Sequence, residues 1–128
     1  MEPLFLTLEE VLEIHRDEIE RHGGMQEVRD NGLLESAVAA PQSGFGEHYL
    51  HGDLHEMAAA YLFHLVRNHP FLDGNKRVGA ATVLVFLSMN GVETTMANQT
   101  LVDTVLAVAK GKMDKPAIAD FFRKHSRS

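Results

Sequence analysis

The sequence predicts an all-α protein, a bundle of about six helices in which a short loop joins the two most buried ones. Three observations predict it. Apolar residues recur at three- and four-residue spacing along most of the chain. The breaks between these runs carry helix caps, a glycine pair and prolines. The run Ala80–Leu87 is apolar nearly all round, the mark of a helix at the centre of a bundle.

Each element follows from local chemistry. Thr7 followed by Glu10 reads as a capping box opening a first helix. Leu8, Val11, Leu12, Ile14 and Ile19 then keep helical spacing until Gly23-Gly24 ends the run. A second short helix fits Leu33–Ala40, with Pro41 closing it. Gln42–Gly52 holds Gly44, Gly46 and Gly52 among polar and aromatic residues, and reads as a mobile loop or a short hairpin. Asp53 is placed to cap the next helix, Leu54 to about Asn68, which Pro70 stops by disfavouring helical geometry at His69. Asn75 begins another helix, which runs to Asn90-Gly91. Val92–Met96 is read as briefly extended. Asn98 is read as the cap of a helix with Leu101, Val102, Val105, Leu106 and Ala109 on one face, and Asp114 and Pro116 open a last helix through Phe121 and Phe122.

Composition narrows the function. A chain of 128 residues with 45% hydrophobic residues suits one domain with an adequate core. The absence of cysteine excludes disulfides and thiolate metal sites and fits a reducing compartment. The N-terminus lacks the basic-then-apolar build of a signal peptide, and Ala80–Met89 is too short to span a bilayer. A cytoplasmic protein without membrane attachment is expected. A net charge of −6 argues against sequence-independent nucleic-acid binding. The basic tail Arg123–Arg127 reads as a solvated helix end.

The chemistry concentrates in His69-Pro70-Phe71-Leu72-Asp73-Gly74-Asn75-Lys76-Arg77. Gly74 and the helix start after it can present unpaired backbone N–H groups to an anion. Asn75 is expected to cap that helix and order the loop. Lys76 and Arg77 put two cations in the same first turn, against the helix dipole, a conflict that an anion in the site relieves. Asp73 beside phosphate oxygens is a ligand for Mg²⁺, which takes few protein ligands. His69 can accept a hydroxyl proton near neutral pH. Phe71 is expected to be the buried anchor of the turn. Taken singly, a His before Pro is usually a helix stop, Asp-Gly a turn and Lys-Arg a solvated face; together, between two hydrophobic helices, they form a site.

These residues resemble the signature of the Fic/Doc superfamily, in its death-on-curing (Doc) branch: His-x-Phe-x-Asp/Asn-Ala/Gly-Asn-Lys-Arg, matched at every specified position from His69 to Arg77. Arg29–Ala37 looks like a second family feature. The resemblance implies a single Fic/Doc domain over residues 1–128, with a Fic-fold bundle and a catalytic loop between two central helices. It departs from the AMP-transferring Fic pattern, with Lys76 in place of a glycine and Ala80 in place of a second arginine. The Doc branch is a toxin of type II toxin-antitoxin systems. The resemblance implies a kinase that binds ATP in the reverse sense and transfers its γ-phosphate to a threonine of translation elongation factor Tu, inhibiting translation. His69 is then the base, Asp73 the Mg²⁺ ligand, and Gly74, Asn75, Lys76 and Arg77 the cradle of the nucleotide phosphates. Gln42–Gly52 lies where Fic relatives carry a target-positioning flap. Fic proteins restrained within their own chain carry Ser/Thr-x-x-x-Glu-Gly/Asn; Ser43 to Glu47 begins that pattern, but His48 breaks it. The expected restraint is a separate antitoxin whose disordered tail folds into a groove.

The alternatives are a protein nucleotidyltransferase (AMPylation of a hydroxyl), a non-catalytic nucleotide- or partner-binding regulator, and a metal-dependent hydrolase built on His51, Asp53, His55 and Glu56. His64 is read as packing. Arg29, Asp30 and Glu35 are read as an ion pair or cap at the second helix, and Phe121 and Phe122 as core and hinge packing.

Overall fold

The computed structural model describes residues 2–45 and 48–127. Among them six α-helices follow in order: α1 (Leu8–His22), α2 (Asn31–Ala39), α3 (Leu54–Arg67), α4 (Asn75–Met89), α5 (Asn98–Ala109) and α6 (Lys115–Lys124). Short antiparallel strands complete the chain. β1 (Gly44–Phe45) pairs with β2 (His48–Tyr49), and β3 (Glu93–Thr94) pairs with β4 (Ser126–Arg127). The all-α bundle expected from the periodicity is the fold. None of its helices is long and apolar enough to cross a membrane.

The caps work largely as the sequence predicts. The Thr7 hydroxyl accepts from the Glu10 N–H at 3.2 Å, and the Glu10 carboxylate accepts from the Thr7 N–H at 2.8 Å. Asp53 and Asp114 cap α3 and α6. Three boundaries differ. Asp30, accepting from the Leu33 N–H at 2.9 Å, starts α2 at Asn31. Pro41 does not stop the chain outright, because it sits at the start of a 3₁₀ turn, Ala40–Gln42, where its missing N–H costs nothing. Asn98 lies inside α5, and Ala97 precedes it without a side-chain cap.

The hub is α3, buried at Met57–Leu62, Leu65 and Val66, with α4 on one side and α6 on the other. Gly79 makes the α3–α4 crossing close. A Cβ there would lie 2.7 Å from Val66 Cγ2 and 3.2 Å from Leu62 Cδ1. Tyr61 of α3 packs its ring against Phe86 of α4, centroids 5.0 Å apart, and its hydroxyl accepts from the Leu6 N–H at 3.0 Å.

The Gln42–Gly52 segment is a hairpin at its described residues, and the Ser43–Glu47 pattern ends outside them. The basic tail begins as the solvated end of α6, where Arg123 and Lys124 are exposed, but it does not continue as one. After α6 the chain reverses, Ser126–Arg127 pairs with Glu93–Thr94, and Arg127 meets the Glu93 carboxylate at 3.0 Å. Arg123 is equally engaged, at 2.9 Å from Asp53 and 2.7 Å from Asp120.

Replacing Gly79 by alanine tests the crossing. The helix-propensity gain of about 1 kcal/mol is opposed by overpacking against a stiff, buried valine, which costs about 1–3 kcal/mol. A thermal midpoint a few degrees lower is expected for Gly79→Ala, and lower still for Gly79→Val. An unchanged or raised midpoint in both contradicts the close packing.

Candidate functional site

The loop His69–Arg77 joins the C-terminus of α3 to the N-terminus of α4, the two helices at the centre of the core. It begins with a sharp reversal. His69 has φ 49°, the one positive φ outside glycine among the described residues. Such a conformation survives only where its surroundings over-determine it.

A strap formed by residues 25–30 supplies the constraint. Arg29 Nε donates to the His69 carbonyl at 2.6 Å, and its Nη2 donates to the Asn68 carbonyl at 2.9 Å. The backbone N–H groups of Arg29 and Asp30 both reach the Pro70 carbonyl, at 2.7 and 3.1 Å. Val28 bridges Phe71, the Leu72 N–H donates to the Glu27 carbonyl at 3.1 Å, and the Met25 N–H donates to Asp73 Oδ2 at 2.8 Å.

Behind the loop, Phe71 is buried as expected. Its ring stacks on His15 of α1, centroids 3.7 Å apart and planes 6° from parallel. His15 Nε2 lies 2.9 Å from the Asp73 carbonyl. A carbonyl only accepts, so this nitrogen carries the proton. Asn75 closes the loop from within. Its Oδ1 accepts from the Phe71 N–H at 3.0 Å, and its Nδ2 donates to the Phe71 carbonyl at 2.9 Å. The same Nδ2 comes within 3.5 Å of His69 Nδ1, the outer limit of a hydrogen bond, too long to fix the imidazole's tautomer.

Asn75 is therefore not the cap of α4, as the sequence suggested, because it is buried and points back into the loop. Gly74 takes the cap position at φ 84°, with no side chain bonded to the helix end. A Cβ on Gly74 would lie 3.2 Å from Ile19 Cδ1, so both conformation and space call for glycine. Side-chain oxygens cap α1, α2, α3 and α6; among the described residues the first-turn N–H groups of α4, like those of α5, have none.

The expected phosphate-cradling residues thus fall into three groups. The backbone of Gly74–Arg77 forms an open helix end, and the Lys76 side chain on its first turn is exposed. The Asn75 carboxamide faces inward, onto the backbone of Phe71. Arg77 reaches back to α1, donating to the Glu18 carbonyl at 3.3 Å and the Gly23 carbonyl at 3.1 Å. A hollow of about 230 Å³ lies between Lys76, Arg77 and Ala80 on one side and Val102, Val105 and Leu106 on the other. His69 is exposed at the rim of the loop.

Asp73 uses one carboxylate oxygen on Met25, and Oδ1 has no hydrogen-bond partner among the described residues. One hard oxygen near an uncapped helix start fits Mg²⁺, which takes few protein ligands and draws the rest from phosphate and water. The His51, Asp53, His55 and Glu56 group does not converge. His55 Nε2 meets Ser126 Oγ at 3.0 Å, while Asp53 and Glu56 turn to Arg123. Among the described residues no three such groups cluster for a metal.

Sequence reasoning missed His15 and the role of Arg29. Val11, His15 and Ile19 are all buried at four-residue spacing, so the histidine's place on an apolar helix face was a usable signal. Arg29 heads the second family-like segment, but nothing in a sequence shows which carbonyls a guanidinium will reach. Asp30 is the cap anticipated for α2.

His15, His51 and His64 all have pKa values below the usual 6.5. Burial is the main cause in each. Arg77 and Arg16 depress His15 further, against the bond to the Asp73 carbonyl; Lys115 does the same to His51 and His64. Lys115 Nζ lies 3.2 Å from His64 Nε2, so His64 does more than pack.

Residues 5–87 match the model of the Fic/DOC family. The chain is 32% identical over 119 residues to "Protein kinase doc" of Escherichia phage P1, covering 93% of each. It is 46% identical over 71 residues to "Toxin Doc" of Mycolicibacterium smegmatis, covering 56% of this chain and 55% of that protein.

These three histidines, two buried and one half-buried, set a direction for stability against pH. Below about pH 6.5 the unfolded chain binds more protons than the folded one, so stability falls as acid is added; above that value their contribution is level. The thermal midpoint should drop between about pH 7 and pH 5.5. His15→Phe, which keeps the stack on Phe71 but does not titrate, should show a shallower drop. A midpoint that is flat or rises over that range contradicts the assignment.

Proposed function

Because the chain belongs to the Fic/DOC family, we propose that it is a Doc-type toxin and a transferase, moving the γ-phosphate of ATP to a threonine hydroxyl of a translation factor such as elongation factor Tu. The names of these two relatives, a protein kinase and a toxin, support this reading. The observation that carries it is an exposed His69 beside the uncapped start of α4, with Lys76 on the same first turn. The remaining cytoplasmic partner is an antitoxin with a tail that folds on binding.

The chemistry follows from that arrangement. His69 takes the proton of the hydroxyl as its oxygen bonds to the γ-phosphorus. The bond from that phosphorus to the bridging oxygen breaks, and ADP leaves. Phosphoryl transfer of this kind depends on positioning and on neutralising charge over the phosphate oxygens. The first-turn N–H groups of α4 and the Lys76 ammonium answer that demand. Arg77 adds positive potential while anchored to α1. Asp73 Oδ1, with phosphate oxygens, would hold Mg²⁺, which supplies further charge neutralisation when bound.

Label position tests the reaction. With elongation factor Tu, ATP and Mg²⁺, label from the γ position should reach the protein and label from the α position should not. His69→Ala should lower the rate by about 10²–10⁴-fold. Transfer of the α label marks nucleotidyl transfer instead, and an undiminished rate in His69→Ala removes the base from the mechanism.

A further inference from the structure

We propose that Arg29 is a positioning residue, a guanidinium clamp that holds His69 in its left-handed conformation. The inference rests on the reading of His69 as the base. Arg29 alone engages three successive carbonyls: its side chain takes those of Asn68 and His69, and its backbone N–H takes that of Pro70. The first lies at the end of α3, where carbonyls lack intrahelical donors and a cation complements the helix dipole.

The geometry of the fork matters more than its charge. Two N–H groups in one rigid plane, at 2.6 and 2.9 Å, fix the relative direction of adjacent carbonyls, and so the rotation of the peptide after His69. A left-handed residue other than glycine is disfavoured, and Asn75 touches the His69 ring only at 3.5 Å. Without the clamp the backbone at His69 can relax, and the imidazole swings away from the helix end it serves.

Arg29 is exposed. Water can therefore satisfy the carbonyls when the guanidinium is removed, but it cannot hold their directions. Loss of Arg29 should disturb position far more than stability, which separates a positioning role from a merely structural one.

The test uses the full chain, with elongation factor Tu as phosphate acceptor. In Arg29→Gln the turnover number should fall about 10- to 100-fold, the scale of a misplaced catalytic group. KM for ATP should stay within about twofold, and the thermal midpoint within about 2 °C. Arg29→Lys, which restores a cation and one donor at a time, should recover part of the loss. Nuclear magnetic resonance of His69, by its HN–Hα coupling and Cα shift, should report a left-handed residue in the wild type and an averaged one in Arg29→Gln. Unchanged turnover, or a His69 that stays left-handed in Arg29→Gln, overturns the proposal; so does a loss of rate that only tracks a lowered midpoint. An active His69→Ala defeats the base assignment alone, since the resonance measurement reads the clamp without turnover.

Discussion

The pairing of the Asn75 carboxamide with both backbone groups of Phe71, at 3.0 and 2.9 Å, fixes the shape of the loop on which the site depends. The amide is buried, so water offers little competition and each bond is worth more than it would be at the surface. The pairing draws the start of α4 toward the turn. It also leaves the cap position to Gly74, whose lack of a side chain keeps the helix end open. A residue that looked from the sequence like a cap instead leaves that end open.

The two cations at the start of α4 meet the opposing dipole differently. Arg77 reaches the carbonyls at the end of α1, where positive charge is favourable. Lys76 stays exposed, its charge unanswered by any ion pair among the described residues. The loop is thus tied to α1 twice, through Arg77 and through His15 under Phe71 and Asp73. The strap through Arg29 adds a third tie at the end of α3.

How far the sequence could be read follows from the range of each signal. Helix periodicity, the capping box and the Asp caps are local, and they located the bundle to within a residue or two at most ends. The run His69–Arg77 is contiguous, so its chemistry was legible as well. Most of what was hidden depends on contacts across the fold. Arg29 reaching three carbonyls and Arg123 meeting Asp53 need residues that lie far apart in the chain. Asn75 turns onto Phe71 only four residues away, but the residue type alone leaves open whether its amide caps the helix or closes the loop. The pairing of Ser126–Arg127 with Glu93–Thr94 escaped notice for the same reason, since two-residue strands carry no periodicity.

Amide hydrogen exchange at Phe71 tests the account most directly. With the Asn75 tie in place, the Phe71 N–H should exchange as slowly as the core amides of α3 and α4. In Asn75→Ala, whose side chain can neither accept from that N–H nor donate to the carbonyl, it should exchange rapidly while the helix amides stay protected. Rapid exchange at Phe71 in the wild type, or protection that persists in Asn75→Ala, would contradict it.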